Sequence, residues 1–133
     1  MRRIVTTPSA SKAVLVDSSG WVECLVAGPR ARDFQPHLQN ESALVVPTLV
    51  IYEVYKKLRR APVTVLADLF LSTAYRCQIV PCDSAIAIAA ADASLRHHLA
   101  MADAIIYATS QISQAQLVTA DPAFKGLPGV TLI

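Results

Sequence analysis

A chain of 133 residues corresponds to about one domain and is long enough to bury a self-sufficient core. With 53% hydrophobic and 17% charged residues it is more apolar than the globular average, which implies a large core and an apolar surface for a partner. The net charge of +2 excludes nothing, but no apolar run approaches the roughly 18 residues of a membrane span.

Residues 1–12, MRRIVTTPSASK, lack the apolar stretch of a signal peptide and read as a flexible arm. AVLVD, 13–17, is a short Val- and Leu-rich run that predicts a buried parallel-type strand. SSGWVECLVAG follows with leading hydroxyls and a closing Gly28-Pro29, predicting a helix of two turns. Residues 30–40 predict another helix, weakened or kinked by Pro36. ALVVP, 43–47, is a second strand stopped by proline, with Thr48 as N-cap of the basic-tailed helix LVIYEVYKKLRR.

Pro62 separates that helix from VTVLADLFLSTAY, in which Val65, Leu66, Leu69 and Phe70 share one face. CQIVP, 77–81, is the third strand, and Asp83 or Ser84 caps the alanine-rich helix AIAIAAADASLRHHL. Residues 104–114 form the next helix, QLVTA a fourth strand and VTLI a last edge strand. Strands alternating with helices predict a three-layer α/β/α sandwich around a mostly parallel central sheet of about five strands. Three cysteines, Cys24, Cys77 and Cys82, without paired spacing fit free, mostly buried thiols in a reducing cytoplasm. Cys77, Cys82, His97 and His98 match no standard zinc spacing.

In right-handed βα units, strand C-termini and helix N-termini share one edge of the sheet, where α/β folds bind their ligands. Four acids fall there. Asp17 ends the first strand, Asp121 lies just beyond the fourth, Glu53 stands in the first turn or two of its helix, and Asp103 starts its own. Each has an ordinary reading: Asp17 and Asp103 as helix caps, Asp121-Pro122 as a turn opener, Glu53 as a solvated helix residue. Together they read as a site, because unrelated caps need not coincide with the ligand-binding edge. Crowded carboxylates repel and require a compensating cation, and hard oxygen donors select Mg²⁺ or Mn²⁺. Such an ion turns bound water into a nucleophile and offsets charge on a phosphorane-like transition state. The chemistry implied is metal-dependent phosphodiester hydrolysis. KKLRR, 56–60, is read first as cations completing a helix C-terminus and only second as an RNA clamp, and Trp21 as core or dimer contact.

VLVDSSGWVE, VPTLVIYEVYKKL, MADAIIYATS and LVTADPAFKGLPGV resemble, in order and spacing, the four acidic motifs of PIN-domain ribonucleases, and most of all the VapC toxins of toxin–antitoxin pairs. The resemblance covers residues 13–133 as one nuclease domain and leaves the arm, 1–12, outside it. It implies a Mg²⁺- or Mn²⁺-dependent endoribonuclease, with Asp17 and Asp103 as principal metal ligands. Glu53 would complete the centre directly or through water, and Asp121 would bind the metal or orient its water. Ser18 and Thr119 are placed to steady the carboxylates or a phosphate, or simply to cap and turn the chain. A homodimer and a small VapB-like antitoxin are implied as partners, the antitoxin's helix in an apolar groove and its tail over the acids. The alternatives are a PIN nuclease of RNA processing or decay, and a degenerate PIN binding domain.

Overall fold

The computed structural model describes residues 12–60 and 64–133; the arm, apart from Lys12, and the break at Pro62 lie outside them. The elements follow the order β1 (Val14–Val16), α1 (Ser18–Leu25), α2 (Ala31–Leu38), β2 (Val45–Pro47), α3 (Thr48–Arg60), α4 (Thr64–Ala74), β3 (Gln78–Val80), α5 (Ser84–His97), α6 (Met101–Ile112), β4 (Gln116–Thr119) and β5 (Val130–Leu132). Short 3-10 turns at Glu41–Ala43 and Pro122–Phe124 precede β2 and follow β4.

Among the described residues all strand pairings are parallel: β1 with β4, β4 with β5, and β2 with β3. A single parallel bridge from Val14 to Leu44 joins the two ladders, giving the spatial order β3-β2-β1-β4-β5. The sheet is small, with strands of three or four residues. Right-handed crossovers in that order put α1 to α4 over one face and α5 with α6 over the other. Neighbouring strand residues are accordingly buried on both sides: Leu15 with Val16, Val45 with Val46, Leu117 with Val118.

Glycine at position 20 allows α1 to approach β1. A Cβ there would stand 2.5 Å from Val16 Cγ1 and 2.6 Å from the Phe34 ring. Trp21 is buried, packed edge-to-face on Phe70 with ring centroids 5.3 Å apart, so it is a core residue. α2 continues through Pro36, which has no N–H to donate within the helix.

Four local expectations need correction. α6 begins at Met101, not 104, and Ala100 occupies the cap position with extended backbone; Asp103 is the third helical residue and caps nothing. Thr48 is the first residue of α3 rather than a cap preceding it. On α4 the buried residues are Ala67, Phe70 and Ala74, while Val65 and Leu69 are 72% and 51% exposed. The small Ala67 and Ala74, rather than the larger Val65 and Leu69, turn inward with Phe70. Of the thiols, Cys24 and Cys77 are half-buried but Cys82 is exposed. The cap of α5 is Asp83, whose Oδ1 accepts from the Ile86 N–H at 2.9 Å.

Candidate active site at the carboxyl edge of the sheet

Because every strand is parallel, Asp17, Thr119 and the starts of α1, α3 and α6 meet at one edge. Asp17 follows β1 directly, and its backbone N–H donates to Val118 O at 3.1 Å, extending the β1–β4 ladder by one step. Its side chain caps α1: Oδ1 accepts from the Gly20 N–H at 3.1 Å and the Ser19 hydroxyl at 2.8 Å. Oδ2 accepts from the Thr119 hydroxyl. Asp17 is therefore only 7% exposed, with both oxygens fixed by donors.

Thr119 reaches both acid-bearing strand ends, since its hydroxyl oxygen also accepts from the Asp121 N–H at 3.0 Å. Asp121 in turn caps the 3-10 turn after β4, accepting from the Ala123 N–H at 2.9 Å. Asp103 comes from the first turn of α6, oriented by the corner between α5 and α6, where His98 takes a left-handed conformation (φ 57°). Glu53 comes from the second turn of α3, flanking the buried face of Val50, Val54 and Leu58.

A cavity of about 360 Å³ is lined by Asp17, Ser18, Ser19, Glu53, Asp103, Ile106, Ala120 and Asp121. All four expected acids and Ser18 line it; Thr119 stands behind Asp17. Ser19 was not among the expected site residues, although a hydroxyl two positions after Asp17 is the signal for a side-chain turn at that acid.

The carboxylates feel one another. Burial pushes the Glu53 carboxyl above the usual range, with Asp103 and Asp17 adding to the rise and the neighbouring Ser18 hydroxyl opposing it. Burial likewise raises Asp103, reinforced by Asp121 and then Asp17. Glu53 Oε1 is buried with no hydrogen-bond partner among the described residues. Among the described residues no three carboxylate, histidine or cysteine groups stand close enough together to form a ready metal site. The acids instead line the cavity around its walls. Such a ring leaves room for water and a ligand oxygen in a cation's shell.

A model of the PIN-domain family matches residues 14–130 of the sequence. No curated protein is a significant match. Among solved structures, a toxin–antitoxin complex from Klebsiella pneumoniae contains a chain similar to this one with TM-score 0.75 and 23% identity, over 90% of this chain and 96% of that one. VapBC2 from Rickettsia felis, bound to a promoter DNA fragment, gives TM-score 0.69 at 16% identity, covering 91% and 97%. VapC20 of Mycobacterium tuberculosis, described as a sarcin-ricin loop cleaving toxin, gives 0.67 at 16%, covering 87% and 95%.

Proposed function

The chain belongs to the PIN-domain family, and from that premise we propose that it is a Mg²⁺- or Mn²⁺-dependent endoribonuclease acting as the toxin of a toxin–antitoxin pair. The observation that carries this reading is the single cavity that Asp17, Glu53, Asp103 and Asp121 line together. Carboxylates whose ionisation is resisted by burial and by each other are stabilised by a hard cation, and an all-oxygen set fits Mg²⁺ or Mn²⁺. The orphaned Glu53 Oε1 is an acceptor that a cation or its water shell would satisfy. Mg²⁺ is commonly held by one or two carboxylates with water and phosphate, so an open ring suits it better than a cage would.

In this reading Asp17 and Asp103 hold the ion, Glu53 completes its shell directly or through water, and Asp121 binds or orients water. A bound divalent ion supplies a Lewis acid that activates water near neutral pH and offsets charge on the phosphate. The chain's own part is positional. Ser19, Gly20 and Thr119 fix the Asp17 carboxylate before any ligand arrives, which removes reorganisation from the reaction. The N-termini of α1, α3 and α6 open on the same edge and favour a phosphate's charge. Residues 13–133 act as the single nuclease domain, in the cytoplasm, as a homodimer. The toxin role is supported by solved neighbours described as toxin–antitoxin assemblies, which also point to a small antitoxin as partner. Among the described residues no helix is long and apolar enough to cross a membrane.

Purified protein should cleave RNA with Mg²⁺ or Mn²⁺, and EDTA or Asp103→Asn should bring cleavage to background. Metal-independent cleavage, or full activity in Asp103→Asn, would sink the mechanism. Expression should arrest growth, and a small protein encoded beside it should relieve the arrest. Cleavage without arrest would return the chain to a PIN nuclease of RNA processing or decay.

A further inference from the structure

We propose that the groove between α1 and α3 is the track along which an RNA strand runs from the acidic cavity, with Lys56, Lys57 and Arg60 neutralising its phosphates and the Tyr52 ring stacking on a base. The identity of the strand as RNA rests on the nuclease reading above. The groove itself does not.

Three observations carry the inference. The first is register. Glu53, Lys56, Lys57 and Arg60 stand at i, i+3, i+4 and i+7, so the carboxylate and the three cations form one stripe along α3. The stripe is about 10 Å long at the helical rise, enough to meet successive phosphates. Helix-terminus electrostatics explain a positive last turn, but not the alignment of its cations and Lys56 with Glu53. Arg59, outside the stripe, is used differently: its guanidinium lies over the Tyr55 ring, 5.9 Å from the centroid.

The second is continuity. A groove of about 420 Å³ is lined by the three cations and Tyr52 together with Ser18, Ser19 and Glu53. Those last three residues also line the acidic cavity, so the two spaces are one path.

The third is the lack of internal pairing. A glutamate followed by lysines at i+3 and i+4 forms an ion pair readily. Yet the one salt bridge among the described residues is Arg76 with Glu41, remote from the groove. The stripe's cations are thus available to an external polyanion. Tyr52 is 59% exposed, and Lys56 braces it, donating to its hydroxyl at 3.1 Å with Nζ 5.3 Å from the ring centroid. A row of cations beside an accessible aromatic face is how proteins hold single strands.

The test is binding of a short fluorescent single-stranded RNA to the full chain in EDTA, as a function of salt. Lys56→Ala, Lys57→Ala and Arg60→Ala together should reduce the slope of log K against log salt by about 2, at about 0.7 per phosphate contact. Tyr52→Ala should weaken binding roughly 5- to 100-fold without changing the slope, and Tyr52→Phe should restore it. In cleavage assays with Mn²⁺ the same variants should raise KM and spare kcat, as uniform binding contacts do. A slope and KM indifferent to all four residues would overturn the track while leaving the nuclease reading standing. RNA binding with the expected slope by a protein that never cleaves would support the track and sink the nuclease reading. Binding of poly-L-glutamate through the same cations, without RNA binding, would overturn it in favour of an acidic protein partner.

Discussion

Glu53 and Lys57 stand one turn apart on the same face of α3, yet they belong to regions built on different principles. The acidic cavity is set by rigid elements: strand ends, helix first turns and a buried Asp17 with donors on both carboxylate oxygens. The basic groove is made of exposed, long side chains with many rotamers and almost no fixed partners. The difference follows from what each would hold. A metal ion tolerates errors of only tenths of an ångström in its ligands, so its residues must be positioned before binding. A polynucleotide backbone needs charge density along a path and adapts to it. Changes in the first region should therefore act on turnover, and changes in the second on affinity and its salt dependence.

Thr119→Val puts that division under the most strain. Valine keeps the volume of a fully buried side chain but removes the hydroxyl that donates to Asp17 and accepts from the Asp121 N–H. Loss of such an outer-shell contact should lower metal affinity or cleavage about 10- to 100-fold. RNA binding in EDTA should keep its affinity and its salt slope. If both fall together, the two regions are one unit and the comparison fails.

The two regions were not equally legible in the sequence. Asp17 and Asp121 could be placed because each adjoins a strand, and a parallel strand fixes which edge its end occupies. Asp103 reaches the right edge although the local expectation of a cap fails: Ala100 occupies the cap position and Asp103 lies within the first turn of α6. Capping depends on backbone angles that an alanine can also adopt. Met101 and Ala102, both strong helix formers, with an acid in the third position, were the available sign of an earlier start. KKLRR reads as cations completing the C-terminus of α3, and Lys57, Arg59 and Arg60 do stand in its last turn. Composition alone cannot say which cations share a face with Glu53, and the groove beside them exists only once α1 packs on β1. The exposed face of α4 was hidden because Val65 and Leu69 look like core residues, whereas the buried ones are Ala67, Phe70 and Ala74.

Gly20→Ala sharpens the comparison through packing. The new methyl would stand within 2.6 Å of Val16 and Phe34, both fully buried and unable to move aside. Overpacking of that kind should cost about 1–3 kcal/mol, measured by urea denaturation. Because the Gly20 N–H also holds Asp17 Oδ1, cleavage should fall, though less than in Thr119→Val. The cations of the basic groove stand on α3 rather than α1, so the salt slope of RNA binding should not move.

The smallest expected effect is on stability against pH, and its sign separates the acidic cavity from an ordinary ion pair. Glu53 and Asp103 have folded-state pKa values raised by burial and by neighbouring carboxylates. Between the usual carboxylate value and the raised one, the folded state binds more protons than the unfolded state, so stability falls as pH rises. The metal-free protein should therefore become more stable on acidification from neutral pH towards about 4.5, with Asp103→Asn flattening the profile. Glu41 behaves oppositely. Its hydrogen bonds to Arg76, at 2.8 and 2.9 Å, depress its pKa, so its contribution is present above the usual value and is lost as pH falls through the depressed one. Glu41→Gln should remove only that lower, exposed and salt-screened component. Saturating Mn²⁺ should reverse the upper limb, stabilising the protein most at neutral pH, where the acids are ionised; at a hundred times Kd that is about 2.7 kcal/mol. A melting temperature that Mn²⁺ leaves unchanged at neutral pH would mean that the four carboxylates do not hold the ion.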